Sequence, residues 1–110
     1  MDTKYGTLSP VLFNEYCTNL RNRVWQLLPL KQEQCPTINN NIERINREIL
    51  GIAEIIEYTQ CKSQLMTVTG LLEHLMHEDN FKLYRSDVLR CCRLINDLID
   101  IVKKTGDKNV

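Results

Sequence analysis

Isoleucine recurs at positions 38, 42, 45, 49, 52 and 56, a spacing of 4, 3, 4, 3 and 4. That spacing puts six β-branched side chains along one stripe of a helix, and such a stripe needs another helix to cover it. A second run with the same spacing follows near the C-terminus: Tyr84, Val88, Cys91, Ile95, Leu98 and Val102. Two seams of this regularity commit the chain to an all-α fold, expected as a small up-and-down bundle of three or four antiparallel helices.

The remaining segments fit that plan. Ser9 and Pro10 form an N-cap and first-turn pair, and Leu12, Phe13, Tyr16, Leu20, Val24 and Leu27 recur at helical spacing, which predicts a first helix over about 10–28. The polar run between Pro29 and Pro36 reads as an exposed connection. The isoleucine helix should then run to Glu57 or Tyr58, with Glu43–Arg47 and Arg44–Glu48 as i,i+4 pairs on its outer face. A break is expected at 59–62, with Ser63 capping a third helix built on Leu65, Val68, Leu72 and Leu75; if it is only a kink, the bundle has three helices. Gly70 sits inside this third helix, either at a close crossing or as a surface glycine. A turn at 77–80 supplies Asp79 or Asn80 as the cap of the fourth helix, which Lys103, Lys104 and Gly106 finish.

With 110 residues, 43% apolar and 25% charged, the chain is expected to form one domain over 1–110, with flexible ends at about 1–8 and 105–110. No apolar run reaches the ~18 residues of a membrane span and no secretion signal is recognisable, so no membrane role and a cytoplasmic location are expected. Five cysteines, at 17, 35, 61, 91 and 92, are odd in number and without framework spacing. They read as reduced thiols, with Cys17, Cys91 and Cys61 on or near apolar stripes.

The catalytic constellations are weak. A carboxylate-bridged metal site in a bundle needs Glu-x-x-His pairs, which the sequence lacks; His74 and His77 are too few for zinc, and adjacent Cys91 and Cys92 diverge by about 100° on a helix. No nucleophile has a marked base and orienting group. The expectation is therefore no enzyme activity, no cofactor and no metal.

Charge is balanced overall but segregated. Residues 48–80 carry six acids and one lysine, while residues 81–110 carry seven bases and four acids. That pattern suits oriented docking onto another macromolecule. The reading is a non-enzymatic interaction protein, an adaptor, immunity factor, inhibitor or regulator, whose partner is another protein met through Trp25 and Tyr58. The alternative is a nucleic-acid-associated regulator using Lys82, Arg85, Arg90 and Arg93 on the outer arc of the fourth helix, with Arg21 and Arg23 adding to them if the first helix is adjacent. The competing role for these cations is pairing within the chain, as Arg93 with Asp97 or Asp100 with Lys104. Surplus length of the second and fourth helices suggests a homodimer that completes the core.

Overall fold

The isoleucine seam is covered as its spacing requires. In the computed structural model, which describes the backbone of residues 2–108 and the side chains of 3–102, Ile42, Ile45, Ile49 and Ile56 are buried and Ile38 and Ile52 are partly buried. Among the described residues five helices form: α1 (Pro10–Trp25), α2 (Leu27–Gln32), α3 (Ile38–Ile55), α4 (Thr59–Leu75) and α5 (Phe81–Lys108). The four long ones are an all-α up-and-down bundle, in which α1 packs on α5, α5 on α4 and α4 on α3, with a lighter α1–α3 contact closing the ring. Side-chain ties fix each neighbouring pair as antiparallel. Asn39 of α3 donates to the Met76 carbonyl just past α4 (3.3 Å), Gln64 of α4 to the Leu94 carbonyl of α5 (3.0 Å), and Arg21 of α1 to Asn96 of α5 (2.8 Å). At about 1.5 Å per residue, the 28 residues of α5 span roughly 42 Å, most of the 47 Å long axis.

One core cluster joins these faces. Every seam residue of α5 from Tyr84 to Val102 is buried, as are Leu65, Val68, Leu72 and Leu75 of α4 and Phe13, Cys17, Leu20 and Val24 of α1. Burial at ~25 cal/mol per Å² of apolar surface supplies the driving force that single-helix propensity cannot. Leu12 departs from its expected stripe and is exposed, because it sits about 100° around the helix from the fully buried Phe13.

The helix boundaries differ from the sequence expectations in three places. The break between the second and third long helices falls at 56–58, ahead of the expected 59–62. Ile56 turns extended (φ −74°, ψ 131°) while keeping its side chain buried, so the chain leaves the helix without giving up the seam. Ser63 therefore lies inside α4 and caps nothing; its carbonyl accepts from the Thr67 hydroxyl. The segment after Pro29 is helical instead of a plain connection. Proline is tolerated in the first turn of a helix, and α2 buries Leu27 and Leu28. It ends in a Schellman closure: Gln34 takes a left-handed φ of 56°, its N–H donates to the Lys31 carbonyl (3.1 Å) and the Cys35 N–H to that of Leu30 (2.9 Å). Finally, the isoleucine helix carries no surplus length: α3 has 18 residues against 16 in α1 and 17 in α4, and α5 alone is long.

The first residues, read as part of a flexible end, carry a short hairpin, β1 (Asp2–Thr3) with β2 (Gly6–Thr7). Gly6 supplies the φ of 125° that the tight turn needs. The hairpin is tied to the end of α3, where the Lys4 N–H donates to the Ile55 carbonyl (2.8 Å) and Thr3 bridges Ile56. At the other terminus the backbone helix continues through Lys108, past Gly106. The side chains of Lys103 and Lys104, and the last residues of the expected flexible end at 105–110, lie outside the described residues.

Candidate interaction faces

The α1–α5 contact builds the most chemically distinctive surface. Arg21 and Trp25 are four apart on the flank of α1 that turns toward α5, and Trp25 is 49% exposed. On α5, Arg85, Leu89, Cys92 and Asn96 follow one another at 4, 3 and 4 along the facing flank. Arg21 pins the register by donating to Asn96, while the Cys92 thiol lies 3.8 Å from its carbonyl oxygen. One turn farther along α1, this antiparallel register brings Trp25 level with Leu89, next to Arg85. Lys82 and Arg93 occupy the outward ridge of α5 beside this flank, and Arg90 lies past the ridge on the α4 side.

All four cations are exposed, and among the described residues none of them enters an ion pair. The expected Arg93–Asp97 pair does not form, nor do Glu43–Arg47 and Arg44–Glu48; the Asp100–Lys104 pair lies outside the described residues. Arg21 joins the α5 side, as adjacency of the first helix allows. Arg23 does not: it turns to the opposite flank of α1 and pairs with Glu48 of α3. Next to the cationic ridge, the outer surface of α1 carries Asn14, Glu15, Thr18, Asn19 and Asn22 around a shallow groove, in which Glu15 is the one charge.

Tyr58 is not part of this face. It stands in the α3–α4 connection beside the N-terminal hairpin, 38% exposed, and its hydroxyl donates to Gln60 (3.2 Å). Tyr5 in the hairpin turn and Val11 and Leu12 in the first turn of α1 are also exposed.

The titratable groups considered for chemistry are dispersed. His74 Nδ1 is 3.1 Å from Asp87 of α5 and its Nε2 4.0 Å from Glu78, while the ring stays largely in solvent. Cys61 and Cys91 sit in the core, away from that histidine, and no group of three or more His, Cys, Asp or Glu among the described residues is arranged to hold a metal. Burial pushes the thiols of Cys17 and Cys91 up to about 12 and that of Cys61 up to about 11, which suppresses thiolate at neutral pH. Cys35 is the exception: a hydrogen bond from Thr37 holds its thiol below the ordinary value. Among the described residues no helix is long and apolar enough to cross a membrane. In comparisons with known proteins the chain matches no family model, no curated protein and no solved structure.

Proposed function

We propose that this chain is a non-enzymatic interaction protein that docks on an acidic surface of another protein through its α1–α5 face. Its role would be that of an adaptor, inhibitor, immunity factor or regulator in a reducing, cytoplasmic setting. The observation that carries the reading is the half-exposed indole of Trp25 on the α5-facing flank of α1, on the same side of the bundle as the exposed Lys82, Arg85 and Arg93 of α5, none of them ion-paired among the described residues. A large aromatic anchor rimmed by charges is the arrangement that concentrates binding energy at its centre and sets orientation at its edge. The buried, protonated thiols Cys17, Cys61 and Cys91 fit a core whose cysteines pack as small hydrophobes.

The same unpaired cations support a second reading, in which a nucleic-acid strand lies along the α5 ridge and a base stacks on Trp25. The two readings separate in one experiment. A photo-crosslinking side chain at position 25, compared with one at the exposed Glu57 in the α3–α4 connection, is exposed to extract of the source cells, with and without nuclease. A discrete nuclease-insensitive protein adduct from position 25, absent from position 57 and lost in Lys82→Glu/Arg85→Glu/Arg93→Glu, supports protein docking. Trp25 is the chain's one tryptophan, so its emission reports on that face when an oligonucleotide is titrated. A shift that collapses steeply with salt, without a protein adduct, transfers the function to nucleic acid. Neither signal removes the face from both accounts.

A further inference from the structure

Away from Trp25, α3 and α4 present a second outward face whose charges are ordered in an unusual way. Beside the buried isoleucine seam, α3 carries a parallel stripe at 4, 3 and 4: Glu43, Arg47, Leu50 and Glu54, all exposed. Leu50 is 44% exposed, and the register set by Asn39 and the Met76 carbonyl brings Met66 of α4, 47% exposed, to the same level. Gly51 lies next to this apolar centre, and a Cβ built there meets nothing within 4 Å, so packing inside the chain does not require the glycine. The same holds at Gly70, which is no close crossing within the bundle. Arg47 and Glu54 form no ion pair among the described residues, and at seven residues apart they are two turns too distant to satisfy each other.

We infer that this face is the site at which a second copy of the chain docks, with α3 antiparallel to α3 about a two-fold axis level with Leu50 and Gly51. The order of charge along the stripe fits this docking. Reading from Arg47 through Leu50 to Glu54 gives positive, apolar, negative. Reversing the direction, as a two-fold axis does, sets each sign opposite its complement, so Arg47 of each copy meets Glu54 of the other and the pair occurs twice. An isologous contact must be self-complementary in this way. Leu50 and Met66 form its dry centre, and the absent side chain at Gly51 lets the two α3 backbones approach. Lys62 and Glu73 of α4 lie at the polar edge, unpaired like Arg47 and Glu54 among the described residues. The proposed docking at Trp25 does not depend on this contact, which leaves the α1–α5 face open in both copies.

The test is sedimentation equilibrium of the reduced full chain over a range of micromolar concentrations, with circular dichroism of every variant as the check on folding. The wild type is expected to be a dimer. Arg47→Glu places like charges opposite each other twice and is expected to shift the equilibrium at least tenfold toward monomer, as is Glu54→Arg. The double swap Arg47→Glu/Glu54→Arg restores complementarity and is expected to restore the dimer. A wild type that is monomeric throughout overturns the inference. So does a dimer indifferent to both single changes, which would have to use another face, and so does a double swap that fails to recover.

Discussion

Helix α5 and the corner formed by α1 and α2 start from similar apolar spacing and end differently. In α5 the seam runs without interruption from Tyr84 to Val102, every seam position is buried, and Asn80 caps the first turn by accepting from the N–H groups of Lys82 (2.9 Å) and Leu83 (3.2 Å). In α1 the expected cap residue, Ser9, stands at the right place with its hydroxyl uninvolved in capping, Leu12 faces outward, and the helix stops at Trp25 only to restart at Leu27. A Pro inside an apolar run explains the corner. Pro29 forbids one continuous helix, yet Leu27 and Leu28 must be buried, so the chain begins a new helix with the proline in its first turn. The lesson is that an unbroken seam dictates its own burial, whereas an interrupted one leaves packing to choose the path.

The widest separation between the two regions is expected in thiol chemistry. Cys91 of the α5 seam has its thiol raised from 9.0 to about 12, whereas Cys35, just beyond α2, is lowered by its Thr37 contact. The thiolate is the attacking species, and its loss at Cys91 is only partly offset by higher intrinsic nucleophilicity, so Cys35 should react with a disulfide reagent at least about tenfold faster than Cys91 in the native protein; comparable rates would show that the α5 seam opens readily. The linked effect on stability has a definite sign. A thiol whose folded value lies above its unfolded value stabilises the fold fully below pH 9 and ceases to do so as pH rises through 12. Denaturation midpoints should therefore fall between pH 9 and 12, with Cys17, Cys61 and Cys91 contributing.

Side-chain truncation gives the next contrast. Ile95→Ala empties a fully buried seam position and should cost about 2–5 kcal/mol, while Leu12→Ala, at a side chain 58% exposed, should stay within about 0.5 kcal/mol. Equal losses in chemical denaturation would mean that Leu12 is covered in solution. The smallest effect concerns the caps. Asn80→Ala removes two cap hydrogen bonds and should cost about 1 kcal/mol, whereas Ser9→Ala should be nearly neutral, because no cap bond is lost. Thermal melts of the two variants side by side decide it.

The residues that could be read in advance are those whose role is fixed by spacing along one helix. The α5 seam, Leu65 through Leu75, most of the isoleucine stripe and the Asn80 cap depend on local geometry, and each was legible. The outward placement of Lys82, Arg85, Arg90 and Arg93 followed from the same periodicity. What spacing could not supply was which neighbour each flank would meet. Arg21 and Arg23 are two apart, and only the order of helices around the bundle sends one to Asn96 of α5 and the other to Glu48 of α3. Trp25 and Tyr58 were indistinguishable as exposed aromatics until the antiparallel register put the first beside the basic ridge and the second at the hairpin end.

The sequence by itself determined that this chain is a helical bundle, because a 3.6-residue repeat of apolar side chains has no other way to leave water. It also determined which side of each long helix is inside. The tertiary structure decided the rest: where α3 releases the chain at Ile56, how α2 forms around Pro29, and which unlike faces share a surface. Those outcomes depend on contacts between residues far apart in the chain, here 21 with 96, 23 with 48 and 39 with 76. Such contacts exist only after the helices have chosen their neighbours, so no local pattern carries them.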